Sequence, residues 1–391
     1  MHRLMYFWGN DGNVVSLFCF YHHKMFIQPV KNTDIDHFAC GVLKLKFHNN
    51  SKCYEKMANS FDWHGGCYIR KIKFSYRSPY HKKEDVMSFE PLKSVLVALD
   101  GSDRSFEVIK YIANTKLFKK NQTRICLFSV YEAVPNYLLD LSMDPQYHTS
   151  YNEVKQWELQ QKRNLEAFLE KSKSELIRAG INEGDISVKL QKKEVGIARD
   201  IIKEALNGYG AIMIGRKGVG MMKYVLLGSI AMKLLSGIKD MPLALIGRDI
   251  PDTGKILVAM DNSGYAMKAV QFTAANFSGT KNSVHLVHVI RDDMDTPPAI
   301  TEQFINEIVP SMNEAKSHLI ENGFDEKSVY TKILTKQRSR AKAIMDEADN
   351  HTIGTIVTGR RGLNKVVEFF MGRVSNKIVQ MARFNAVWVI T

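Results

Sequence analysis

No apolar run in this sequence reaches the roughly 18 residues that a membrane-spanning helix needs. The most apolar early piece, Val14 to Val30, is broken by His22, His23 and Lys24 and no small-residue cleavage site clearly succeeds it, so a signal peptide is not expected and a cytoplasmic protein is. Cysteine is scarce. Of five in the chain, Cys19, Cys40, Cys53 and Cys67 lie before residue 87, and no two have the short gap usual in structural zinc sites, which argues against zinc despite seven of the twelve histidines lying in the same stretch. Cys126, inside the apolar run "ICLFSV", is expected in the core. Long blocks of Lys and Arg are also missing. The net charge of +13 therefore reads as a solvated basic surface, and nucleic acid is disfavoured as a partner. A dedicated catalytic apparatus is absent too: no Ser/His/Asp set or carboxylate pair can be tied to one edge of the fold, and no Gly-Lys-Ser/Thr phosphate loop occurs.

What is present falls into two unequal parts. Residues 1–86 show no sustained helical or strand period, and they hold 13 Lys/Arg against 7 Asp/Glu. Their aromatic, Cys and His content differs abruptly from that of residues 87–391. The expectation is an irregular N-terminal extension, and a natural start at Met87 is a further one. The codons for Lys83, Glu84 and Asp85 can spell a purine-rich ribosome-binding sequence just ahead of that methionine.

From Ser94 onward short Val/Ile/Leu runs alternate with longer amphipathic stretches. Continuous rather than alternating apolar strands are what a parallel sheet covered on both faces requires. The order then repeats: "KILVAMDNS" answers "SVLVALDGS", "SVHLVHVI" answers "RICLFSVY", "AKAIMDEAD" answers "ARDIIKEAL", and "NAVWVIT" answers "MPLALIG". Asp100 to Gly215 spans 115 residues and Asp261 to Gly359 spans 98, most of the difference being an insert near Pro135 to Ser150 in the first copy. The expected fold class is α/β, two tandem doubly wound domains over residues 87–247 and 255–391, joined by a linker at 248–254. Their last strands are both apolar and would leave exposed edges, so they are expected to pair with each other inside one chain. A further homodimer is compatible with that pairing.

Three glycines in each copy come after the fourth strand. Gly215, Gly218 and Gly228 with Ser229 are matched by Gly359, Gly362 and Gly372 with Arg373. In an open parallel sheet ligands bind beyond the carboxyl ends of the strands. Glycines there let backbone N–H groups approach an anion, and the helix start at Gly228-Ser229 favours phosphate. Arg216 and Lys217 are expected to add positive charge. Asp100 and Asp261 end the first strands at the same edge, where they could contact ligand or cap the next helix. His285 and His288 have opposite parity on one strand, as one core and one surface residue would.

Two copies of a strand ending in "VALDGS" or "VAMDNS", with a Gly-x2-Gly-x9-Gly-Ser pattern after strand four of the first, resemble the universal stress protein family in its tandem form. The resemblance covers about Leu92 to Thr391. It implies five-stranded parallel sheets of order 3-2-1-4-5 with two helices on each face. It also implies a stress-response protein that binds an adenine nucleotide, ATP with or without magnesium, as a sensor rather than an enzyme. Carried over by position, Ala98 and Asp100 would face adenine and ribose, and Val130 would line the adenine pocket. Gly215, Gly218, Gly228, Ser229 and Ile230 would hold the phosphates. The second copy keeps Asp261, Val289, Gly359, Gly362, Gly372 and Val374, but Arg373 stands where serine is expected, and Ser375 is a candidate substitute. A non-nucleotide interaction or chaperone-like module on the same fold, using the insert as its contact surface, is the alternative.

Overall fold

The computed structural model describes residues 3–8, 14–21, 24–29, 89–133, 148–216, 227–279, 281–291, 296–362 and 371–391. The chain divides into two units, Met1–Ser78 and Pro79–Thr391. In the first unit, where sequence periodicity signals no regular structure, three strands form an antiparallel sheet: β1 (Arg3–Trp8), β2 (Val14–Tyr21) and β3 (Lys24–Pro29) in the order 1-2-3. Near-adjacent strands need only short turns to pair in this way, which explains how they form without a clear period.

In the second unit the first half runs β4 (Ser94–Ala98), α1 (Asp103–Asn114), α2 (Lys116–Lys120), β5 (Arg124–Tyr131), α3 (His148–Arg178), β6 (Ile186–Lys192), α4 (Ile197–Ala205), β7 (Ala211–Gly215), α5 (Ser229–Gly237) and β8 (Leu243–Ile246). The second half runs β9 (Asp252–Met260), α6 (Gly264–Phe277), β10 (Ser283–Val289), α7 (Pro298–Glu321), β11 (Val329–Leu334), α8 (Arg340–Asn350), β12 (Ile353–Gly359), α9 (Arg373–Met381) and β13 (Ala386–Ile390). Most of the expected insert, residues 134–147, lies outside the described residues. The expected linker is shorter than its Pro and Gly suggest, because Asp252, Thr253 and Gly254 already belong to β9.

The ten strands described in this unit form one continuous sheet, ordered 11-10-9-12-13-8-7-4-5-6. Each half taken alone has the expected order 3-2-1-4-5 and is parallel throughout. The sheet is nevertheless mixed, because β8 and β13 pair antiparallel, with Ala386 opposite Ile246 and Val389 opposite Leu243. That seam joins what the sequence presents as two sheets, and it removes both apolar edges.

Strand residues are mostly Val, Ile, Leu and Ala and are buried on both faces. Val95 and Val97 belong to the apolar layer that includes residues of α1, α3, α6 and α7, while Leu96 and Ala98 belong to the opposite layer, with residues of α4, α5, α8 and α9. The long helices α3 and α7 end alike: Gly180 (φ +89°) and Gly323 (φ +96°) take the left-handed conformation, with Ile181 N–H on Leu176 O and Phe324 N–H on Leu319 O. Identical stops place the next strands at the same edge of each half. Among the described residues no helix is long and apolar enough to cross a membrane.

Candidate functional site

Strands β4, β5 and β7 are neighbours, so their carboxyl ends gather Ala98, Asp100, Val130 and Gly215 at one edge of the first half. Gly228 is drawn to the same edge because its N–H donates to Arg216 O at 2.8 Å, closing the loop that leaves β7. Ser229 and Ile230 begin α5 there, Ser229 exposed and Ile230 half-buried. Among the described residues no side chain caps this helix start. Its first N–H groups therefore point at the edge with their partial positive charge, the arrangement an anion needs. Lys217 and Gly218 lie outside the described residues.

Asp100 is exposed, and its Oδ1 accepts from Ser102 N at 3.1 Å and from the Ser102 hydroxyl at 2.6 Å. Ser102 in turn caps α1 by accepting from Ser105 N at 3.1 Å. The second half repeats this relay: Asp261 accepts from Ser263 N at 3.0 Å and from the Ser263 hydroxyl, and Ser263 accepts from Ala266 N at 3.2 Å. The helix cap is thus the serine, and the aspartate orients it from just beyond the carboxyl end of the strand. Sequence reasoning points to the aspartates and misses the serines, although the repeated "DGS" and "DNS" carry them.

The second half gathers Asp261, Val289, Gly359, Gly362, Gly372, Arg373 and Val374 at its own edge, with Gly372 N–H on Arg360 O at 2.8 Å. A Cβ on Gly362 would stand 2.6 Å from Asp261 Oδ2, so this glycine keeps loop and aspartate in contact. Gly359 has a different demand from the one expected. A Cβ there would meet the Tyr265 backbone at 2.7 Å, so its glycine is required by the first turn of α6. Gly372 has ordinary extended dihedrals, and a Cβ would meet nothing closer than 3.4 Å. Arg373 is exposed at the start of α9. Ser375 does not replace the expected serine: it is buried, with its hydroxyl on Gly359 O at 2.7 Å and Thr358 Oγ1 at 3.1 Å.

One expected phosphate-facing charge is corrected outright. Arg216 is buried, and its Nη2 donates to Val379 O and Gln380 O, both at 2.7 Å, at the end of α9 in the other half. Those terminal carbonyls have no partner within their own helix and carry its negative end, so they draw the guanidinium away from the glycine loop of its own half. Burial, with Arg383 beside it, lowers the Arg216 pKa to about 10, and it remains cationic at neutral pH.

The edges also differ at the position just before Val130 and Val289. Ser129 donates to Leu99 O at 2.8 Å, while in the equivalent place His288 uses Nδ1 toward Met260 O, also at 2.8 Å. A carbonyl partner makes Nδ1 the donor, and burial pushes the ring pKa below its ordinary value. Both His285 and His288 are half-buried, rather than one in the core and one at the surface. His285 stacks on Tyr330 and His351. Arg340 adds a cation at this second edge, its Nε on Val289 O at 3.2 Å. Among the described residues no group of three or more His, Cys, Asp or Glu could hold a metal ion.

The fold and this doubled strand-loop-helix edge define a class: paired doubly wound α/β domains, each with a glycine loop at the carboxyl ends of its strands. The chain belongs to the universal stress protein family, whose model matches residues 91–239 and 253–390, one match for each half. A curated relative, universal stress protein YxiE of Bacillus subtilis (strain 168), is 27% identical over 137 residues, 33% of this chain and 93% of that protein. The solved structure of a universal stress protein from Archaeoglobus fulgidus DSM 4304 is 22% identical, with a TM-score of 0.50 over 78% of this chain and 99% of that one. That likeness supports the tandem fold.

Proposed function

We propose that this universal stress protein is a cytoplasmic, ATP-binding regulatory protein that senses nucleotide rather than turning it over. The observation that carries the reading is the first-half edge, where Gly228 closes the loop onto Arg216 O, α5 begins with no side-chain cap among the described residues, and Asp100 follows just beyond the end of the adjacent strand β4. Uncapped N–H groups supply a phosphate site, and an exposed carboxylate suits ribose hydroxyls. Ala98 and Val130 offer an apolar wall for the adenine, and Gly215, Gly218, Gly228, Ser229 and Ile230 would hold the phosphates, with magnesium as an optional companion. The second edge, with Arg373 in place of serine and His288 in place of Ser129, is proposed as the weaker site. Bound ATP would add charge and shape at the first edge, and no residue at either edge is assigned a chemical step.

Titration of the purified full chain with ATP tests this. Binding in the micromolar to sub-millimolar range is expected, and Gly218→Val should abolish it at the first site by adding a side chain within the glycine pattern. Equal curves for the folded variant and the wild type would defeat the assignment.

A second reading, a non-nucleotide interaction module, is favoured by a groove of about 740 Å³ between α4 and α5. Val195, Ile197, Ile230 and Met232 line it, with Arg199 and Lys233 also in its lining. A folded chain that binds no adenine nucleotide would favour this reading.

A further inference from the structure

Arg216 and Arg360 occupy the same place in their halves, one residue beyond the fourth strand, and both are buried. Each backbone anchors its own loop. Arg216 N–H donates to Ile246 O and Arg216 O accepts from Gly228, while Arg360 N–H donates to Ile390 O and Arg360 O accepts from Gly372. Each side chain does the opposite and crosses the seam. Arg216 reaches Val379 O and Gln380 O at the end of α9, and Arg360 reaches Leu235 O at 2.5 Å and Ile238 O at the end of α5.

The helices reached are those that close the opposite loops. Helix α9 starts immediately after Gly372, and α5 starts immediately after Gly228. Each helix has nine residues, roughly 13 Å end to end. A continuous path therefore runs from the first loop through Arg216 and α9 to the second loop, and back through Arg360 and α5 to the first. Releasing either guanidinium would leave a buried cation without its carbonyls and a helix end without its donor, which is costly, so loop and opposite helix move together.

We propose that Arg216 and Arg360 are positioning residues for each other's sites: each sets the helix start that closes the anion loop of the opposite half. The role of the loops as ligand sites rests on the function proposed above, whereas the mechanical link does not. Any ligand that holds one helix start then changes affinity at the other, reciprocally.

The test is amide hydrogen exchange on the full chain without ligand. Arg216→Met should speed exchange at residues 371–376, and Arg360→Met at residues 227–232, each by at least about fivefold, the lower end of usual coupling strengths. Exchange in the helix start on the variant's own side should change less. Arg216→Lys and Arg360→Lys keep the charge without the fork, and should show the same selective pattern at smaller amplitude, which preserves the test if a methionine variant fails to fold. Uniform acceleration across both halves, or acceleration confined to residues 379–382 and 235–238, would overturn the proposal. In a parallel arm, Arg360→Met should weaken ATP at the first site at least about fivefold in a Gly362→Val background that disables the second. Wild-type protein that binds no ATP would sink the nucleotide reading while the exchange pattern still decides the positioning role.

Discussion

Trp388 offers the sharpest test of how the halves are joined. It is fully buried in β13, its ring lies 5.1 Å from that of Phe272, and its indole N–H donates to Tyr111 Oη at 3.1 Å. Tyr111 belongs to α1 of the first half, and its hydroxyl also meets Thr355 Oγ1 of the second at 3.1 Å. Replacing Trp388 with alanine removes a large buried ring, which costs about 4 kcal/mol in a core that relaxes only partly. The Tyr111 hydroxyl keeps Thr355, so the lost bond adds no orphaned group. Trp388→Phe keeps most of the packing and loses the indole donor, for roughly 1 kcal/mol from that bond. Urea unfolding of the full chain, monitored by exchange labelling of each half, measures both. The seam predicts one shared midpoint for residues 94–246 and 252–390 in the wild type, and an equal drop for both halves in Trp388→Ala. A shift of under about 1 kcal/mol, or one confined to the second half, would refute the joint core.

Gly247→Ala should cost about 2 kcal/mol by overpacking, read by denaturant titration, because its Cβ would come within 2.5 Å of Arg383 O and 2.7 Å of Asn385 O, both rigid seam backbone. Ser102→Ala and Ser263→Ala should each cost about 1 kcal/mol of stability as lost helix caps, and a variant with an unchanged unfolding midpoint would remove that serine from the relay. Burial, with His351, Lys255 and Lys332 nearby, holds the His285 pKa below its ordinary value of about 6.5, against the pull of Glu347. The unfolded chain therefore takes up the proton first. The His285 contribution to stability is neutral well above that value and turns unfavourable as pH falls through it toward the folded pKa. Thermal midpoints between pH 8 and 5 should fall on the acid side, and His285→Asn should flatten that slope; an unchanged slope would assign it elsewhere.

Much of this architecture was legible because the parallel strands are uninterrupted Val/Ile/Leu runs and because every element occurs twice. "AIMIG" and "SIAMKLLSG" coincide with β7 and α5, and the apolar last strands pair as their exposed edges required. The three strands before residue 79 were not legible: aromatic residues on both parities mask the alternation of β1 and β2, and β3 is short. At the candidate edge, Asp100 and the glycines emerged from strand order. Arg216 did not, because a basic residue inside a glycine loop reads as a phosphate contact until the partner helix is in view. Its partners lie more than 160 residues away in sequence, and no local pattern encodes them. Gly359 carries a packing demand hidden for the same reason, since its close neighbour is the first turn of α6, far earlier in the chain.

Whether a nucleotide sits at the first-half edge is decided most directly by denaturing the purified full chain and identifying any released small molecule by mass. An adenine nucleotide is expected, recovered from wild type and lost from a folded Gly218→Val variant. A folded wild-type chain that releases no nucleotide and gives no ATP titration signal up to millimolar concentration would contradict nucleotide binding there.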